Sequence, residues 1–140
     1  MNITKPTKEN DITRNWHLID VKGEILGRSS TKIAHLLMGK SKPYFAKNMD
    51  CGDYVVVVNS ELVKVSGKKE KEKMYDTYSG FPGGRKVLRL EEVRARKPEM
   101  IIRSAVSGML PKNKLRARML ERLYIYKGDT HPYISKFKGE

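Results

Sequence analysis

The run Tyr54-Val55-Val56-Val57-Val58 restricts the fold more than any other segment of this chain. Four consecutive β-branched residues between Gly52-Asp53 and Asn59-Ser60 suit a strand covered on both faces, because an exposed face would require polar residues at alternate positions. The predicted place of this strand is the middle of a sheet. Upstream, Trp16-His17-Leu18-Ile19-Asp20-Val21 reads as a first strand. After a turn at Lys22-Gly23, the segment Ser29 to Met38 gathers Ile33, Ala34, Leu37 and Met38 on one helical face, with Ser29 or Ser30 available as N-cap and Gly39 as stop. Strand, helix and buried strand is the βαβ order, for which a right-handed crossover to a parallel partner is expected.

Downstream, Leu62 to Val65 suggests a short extended piece, and the alternating charges of Lys68 to Lys73 suggest a solvated helix or loop. Met74 to Tyr78 and Lys86 to Leu90 read as extended, joined by the glycine-rich turn Gly80-Phe81-Pro82-Gly83-Gly84-Arg85. Such a turn lets backbone amides approach a phosphate closely. Pro98 fits the first turn of a helix whose apolar stripe is Ile102, Ala105, Val106 and Met109, ended by Gly108 and Pro111. A second helix is expected from about Asn113, followed by a last strand at Tyr124-Ile125-Tyr126. No internal repeat or domain linker interrupts this series. The organisation read from it is an N-terminal arm over residues 1–15, one globular domain over 16–132 and a C-terminal tail over 133–140.

Charge narrows the partner. The 29 Lys and Arg against 16 Asp and Glu leave a net charge of +13, of which residues 1–70 carry +4 and residues 71–140 carry +9. An acidic partner is therefore expected to meet mainly the second half. Nucleic acids reward such a surface most, because each neutralised phosphate releases condensed counterions. The densest junction is Gly108 to Arg118, where an apolar helix end turns into a cationic segment. At about 100° per residue, the helix after Pro111 sets Lys114, Arg118 and Arg122 in one outward stripe opposite Leu115, Met119 and Leu123. Arg103 and Lys112 lie near the same junction. Arg116 falls on the apolar side, where it could snorkel, precede the regular helix or reach a groove lined by the core.

Other chemistries find little support. Gly23-Glu24-Ile25-Leu26-Gly27-Arg28-Ser29 has the wrong glycine spacing for a phosphate-binding loop and Arg in place of its Lys. Gly27 is expected to let the chain turn into the helix, leaving Arg28 near its start for outside contacts. His17, His35 and His131 are too scattered for a metal site, and no spacing orients a nucleophile, base and oxyanion donor. His35 is expected on the first helix's flank, His131-Pro132 in a turn, and Asp20, Asp50 and Asp53 as turn or cap residues. Cys51, the sole cysteine, admits no internal disulfide. The polar N-terminus has neither a secretory nor a transit-peptide pattern, and no run approaches the ~20 apolar residues of a membrane helix. An intracellular, reducing location is the expectation.

Ordered landmarks add a resemblance. Trp16 to Asp20, Leu26-Gly27-Arg28, Gly39-Lys40, Asp50, Gly52-Asp53-Tyr54, Val58-Asn59, Ser66-Gly67-Lys68, Lys73-Met74-Tyr75, Ser79-Gly80, Pro82-Gly83-Gly84, Gly108-Met109-Leu110-Pro111-Lys112-Asn113 and His131-Pro132 resemble the bacterial-type large-subunit ribosomal protein number thirteen family. The likeness runs from Trp16 to about Pro132, and the Gly108 to Asn113 segment is its most specific part. It implies an α/β protein, three-layer α/β/α, with a central, mostly parallel four-stranded sheet, basic loops and short terminal tails. It also implies binding to large-subunit rRNA, early subunit assembly and neighbouring ribosomal proteins, without which the isolated chain binds rRNA poorly. No catalysis, cofactor, membrane or small-molecule substrate is implied, and the expected location is the cytoplasmic ribosome; an organelle-encoded source would share these sequence features. The expected RNA-binding residues are Arg28, Lys40, Lys68, Lys69, Lys73, Arg85, Lys86, Arg103, Lys112, Lys114, Arg116, Arg118, Arg122 and His131. Two departures from the family pattern stand out: Arg116 where glycine is usual, with Ala117-Arg118 in reversed order, and Tyr133 where a second histidine is usual.

Overall fold

The valine run forms the central strand of a parallel sheet. In the computed structural model, which describes residues 4–137, β1 (Trp16–Asp20) leads through α1 (Leu26–Met38) to β2 (Tyr54–Val58). The chain continues through α2 (Lys69–Glu72), β3 (Met74–Tyr78), β4 (Arg85–Arg89), α3 (Leu90–Arg96), α4 (Glu99–Met109), α5 (Leu115–Glu121), β5 (Leu123–Ile125) and α6 (Ile134–Phe137). Strand β2 lies between β1 and β5, parallel to both, with Trp16 opposite Tyr54 and Val55 opposite Leu123. Val55 to Val58 are 0–2% exposed, as expected of a strand covered on both faces.

Alternation along the strands divides the sheet into two different faces. Val55, Val57, Leu123, Ile19 and Ile125 belong to the main apolar core, with Ile33, Ala34 and Leu37 of α1 and Ile101, Ile102 and Val106 of α4. The opposite face carries aromatic side chains. Trp16 stacks on Tyr54 at 4.4 Å between ring centroids, and Tyr133 closes over Trp16 at 5.1 Å and Tyr124 at 4.6 Å. Short helix α6 follows directly, with Lys136 Nζ 5.6 Å from the Trp16 ring. The expected C-terminal tail is thus seated on the sheet as far as Phe137; its last residues, 138–140, lie outside the described part.

The sheet has three strands, where four are expected from the resemblance. β3 and β4 pair only with each other, antiparallel, as a separate hairpin. Neither has the unbroken apolar run that burial on both faces requires, and the short glycine-rich connection favours local antiparallel pairing. The expected extended piece Leu62 to Val65 supplies one parallel bridge, between Lys64 and Ile25. That bridge moves the start of α1. Leu26 N–H donates to the Lys64 carbonyl at 2.8 Å, the helix begins at Leu26, and neither expected serine acts as its N-cap. Buried Ser29 instead donates back to the Leu26 carbonyl at 3.1 Å. Gly39 does end the helix, at φ 71°, where a Cβ would strike the Cys51 carbonyl.

Helix α3 is absent from the sequence reading. It buries Leu90 and Val93, and its Glu91 and Glu92 in the first turn with Arg94 and Arg96 in the last complement the helix dipole. The N-terminal arm, described from Thr4 onward with 1–3 outside, lies against the segment after α1. Thr7 Oγ1 donates to the Tyr44 carbonyl at 2.7 Å, and Arg14 reaches the carbonyls of Gly52 at 2.5 Å and Asp50 at 2.9 Å.

Candidate nucleic-acid interface

Three separated stretches of sequence meet at one cleft. The start of α1, the loop before α2 and the end of α4 line a space of about 220 Å³ with Leu26, Gly27, Ser66, Lys69, Lys73 and Met109 among its walls. Thr31 Oγ1 lies 3.6 Å from Met109 Sδ, joining α1 to the α4 end. Arg28, Lys68, Lys69 and Lys73 are all exposed around these elements. Lys73 Nζ lies 5.4 Å from the Tyr75 ring centre, a contact that steadies the ammonium without neutralising it.

A second cleft, about 350 Å³, lies between the segment after α1 and the start of α5. Lys40, Lys47, Phe45, Pro111, Asn113 and Met119 contribute to it. Asn113 Oδ1 accepts from Leu115 N–H at 3.0 Å, so this side chain fixes the turn into α5. Lys112 and Lys114, on either side of Asn113, are exposed. Arg118 is exposed on the next turn and borders a third cleft with Arg14, Asp50 and Leu115. Lys40, Lys112, Lys114 and Arg118 are thus brought to neighbouring elements.

Arg122 does not belong to this surface. It is 7% exposed, and its guanidinium donates to both Asp50 oxygens at 2.5 and 2.6 Å and to the Leu37 carbonyl at 3.0 Å. The physical reason is that α5 ends at Glu121, so helical spacing no longer sets the direction of residue 122. Asp50 is correspondingly an internal anchor and not a turn cap. Asp53 also differs from expectation: it is 5% exposed, with Lys42 Nζ at 2.6 Å, His17 Nε2 at 2.8 Å and Asn15 N–H at 3.1 Å. Burial pushes its pKa up, but these hydrogen bonds together hold it below the usual carboxylate value. Asp20 is a turn residue, accepting from Lys22 N–H and Asn59 Nδ2 at 2.9 Å each.

The remaining expected residues are dispersed. Arg85 and Lys86 are exposed on the β3–β4 hairpin, with Arg85 Nε and Nη2 both 2.8 Å from Asp76 Oδ2. Arg103 is exposed on α4 but directs Nη2 to the Leu123 carbonyl at 3.3 Å. Arg116 is half-buried in the first turn of α5. His131, also half-buried, sits edge-on to Phe137 at 5.8 Å and near Tyr126, within the aromatic group. Sequence reading does not single out Arg94, which holds Glu70 at 2.8 and 3.0 Å and the carbonyls of Glu61 and Val63 at 2.8 Å each. Nor does it find the Lys42–Asp53–His17 group, whose members are brought together only by folding.

Among the described residues, no group of three or more His, Cys, Asp or Glu is arranged to hold a metal ion, and no helix is long and apolar enough to cross a membrane. The family model for ribosomal protein L13 matches residues 14–132. The chain belongs to the ribosomal protein L13 family. Its relatives include the large ribosomal subunit protein uL13 of Dehalococcoides mccartyi, 47% identical over 95% of this chain and 93% of that protein. The protein of the same name from a Nitratiruptor species is 47% identical over 99% of both chains, and that from a Geobacter species 44% over 95% and 94%. The L13 family is one of structural ribosomal proteins and not of enzymes. In this L13 chain, the Leu26-Gly27-Arg28, Ser66-Gly67-Lys68 and Gly108 to Asn113 landmarks meet around the clefts described above.

Proposed function

We propose that the protein is a structural constituent of the large ribosomal subunit that binds large-subunit rRNA and contributes to early subunit assembly. The observation that carries this reading is the cleft where Lys69 and Lys73 meet the start of α1 and the α4 end, with Arg28 exposed on the first turn of α1 and Lys112 and Lys114 exposed on the turn that follows α4. Folding brings together cations far apart in sequence and leaves them exposed, which an extended polyanion can use and a small-molecule site cannot. Arginine grips phosphate bidentately and lysine acts as a mobile point charge. RNA shape and 2′-hydroxyls supply most of the discrimination.

The binding set supported by the geometry is Arg28, Lys40, Lys68, Lys69, Lys73, Lys112, Lys114 and Arg118, with Arg85, Lys86, Arg103, Arg116 and His131 as further contacts. Neighbouring large-subunit proteins complete the environment, and the working location is the cytoplasmic ribosome. Sedimentation of cell extract at moderate salt tests the proposal. Stoichiometric co-migration with large ribosomal subunits is expected; a protein found mainly off the ribosome would instead be a regulatory RNA- or DNA-binding module, and the proposal would be wrong.

A further inference from the structure

The β3–β4 hairpin presents an outer face that the folded core does not use. Strand register sets Met74 opposite Arg89, Asp76 opposite Val87 and Tyr78 opposite Arg85. By alternation, these six residues share one face. Met74 is 59% exposed, Tyr78 68% and Val87 42%, and Phe81 at the turn is 73% exposed. The other face is different: Tyr75 and Leu88 are half-buried against the core and anchor the hairpin. Two aromatic rings are therefore held out in solvent on a strand pair whose inner side is fixed.

Charge identifies the occupant. The single carboxylate of the outer face, Asp76, is taken by Arg85, the residue opposite Tyr78 in the strand register. Arg89 on the same face adds positive charge. An apolar protein groove would satisfy the rings but leave these cations to be desolvated. An unpaired nucleotide satisfies both, because its base offers a π face and its phosphate an anion within one residue's span. The space where a Cβ would stand at Gly80 and Gly83 in the turn is open, so a backbone can approach Phe81 closely.

We infer that the outer face of the β3–β4 hairpin is a stacking platform for unpaired rRNA bases, with Tyr78 and Phe81 as the stacking rings and Arg89 holding an adjoining phosphate. This rests on the rRNA-binding reading above and assigns to it a contact of a different kind from phosphate neutralisation. Both rings lie outside the core, so their removal leaves the fold intact.

The test uses large subunits isolated from cells carrying either the unaltered chain or one variant. In Tyr78→Ala and Phe81→Ala subunits, base-specific chemical probing should show a few unpaired nucleotides becoming about five-fold or more reactive, the factor expected from losing one modest stacking contact. Phe81→Trp should keep them protected. A photoreactive p-benzoylphenylalanine installed at Phe81 should crosslink to rRNA. Crosslinking to a ribosomal protein, or unchanged base reactivity in both alanine variants, overturns the inference. If those results come from chains that still co-sediment and crosslink to rRNA through Lys112 and Lys114, the rRNA-binding reading survives and only the platform fails. Failure to co-sediment at all removes both.

Discussion

Replacing Arg122 separates an internal anchor from a surface cation. In Arg122→Met the side-chain volume is largely kept, but two hydrogen bonds to Asp50 and one to the Leu37 carbonyl disappear. Asp50 then has only Arg14 nearby, at 3.9 Å. Breaking a buried pair from one side costs about 3–5 kcal/mol because the remaining charge is uncompensated. The Asp50 side chain is 11% exposed and Arg14 remains near it, so the lower end, about 3 kcal/mol, is expected here. For a chain of this length, an unfolding entropy of about 0.3 kcal/mol/K converts that loss into a Tm decrease of roughly 10 °C. Urea unfolding should show a midpoint lowered by about 1.5 M with unchanged slope. Adding Asp50→Asn should recover part of the loss, giving a double variant more stable than the sum of the single effects. A Tm decrease below about 3 °C, together with weakened rRNA binding like that of an exposed-lysine variant, would return Arg122 to the outer surface and refute the reasoning.

The exposed cations, the aromatic face and the buried carboxylate each yield a separate expectation. Lys112→Gln, Lys114→Gln and Arg118→Gln should each reduce the slope of log affinity against log salt for rRNA by about 0.7–0.9, while melting temperatures stay within about 2 °C; filter binding across a salt series measures the first. Tyr133→Ala should destabilise the chain by about 1–3 kcal/mol through lost burial and stacking, and should shift the emission of Trp16, the sole tryptophan, to the red as its ring is uncovered. Asp53 has a folded-state pKa below its ordinary 3.8, so its stabilising contribution is fully present above that value and is lost as pH falls through the lower folded-state one. Urea titrations below pH 4 should therefore show a shallower acid loss in Asp53→Asn than in the unaltered chain; equal slopes would contradict that assignment.

The central topology could be read from local signals. The Val55–Val58 run had only one sensible position, and Gly39 marked a helix end that its left-handed conformation confirms. The helix after Pro98 and the last strand also follow from short-range pattern. What the sequence did not disclose depends on distant partners. Asp50 meets Arg122 across 72 residues, and Asp53 meets His17 across 36; neither spacing has a local signature. The Lys114 and Arg118 stripe does not continue to Arg122, because α5 ends at Glu121. Helix α3 was hidden because it begins immediately after β4, with Arg89 as N-cap and no capping side chain. Residue type and charge single out Lys69 and Lys73 as exposed cations, but only folding sets them in one cleft with the start of α1 and the end of α4. The strands of the hairpin were legible, whereas their detachment from the main sheet was not.

A strongly basic chain has a particular difficulty: cations that repel one another must still be held in a fixed arrangement. Arg14, Arg94 and Arg122 address it from within, since their side chains are only 29%, 21% and 8% exposed and each binds at least one main-chain carbonyl. A guanidinium has several donors in one plane, so it can hold a carboxylate and a carbonyl from different segments at once. Arg122 thereby fixes the end of α1 and the Asp50 loop against the start of β5, and Gly52 admits no side chain beside it because a Cβ would overlap the Leu37 carbonyl. Arg94 ties α3 to α2 and to the Glu61–Val63 turn. These are the segments that carry Lys40 on one side and Lys68, Lys69 and Lys73 on the other. The internal arginines thus set where the external lysines stand, and part of the charge excess acts through the fold itself.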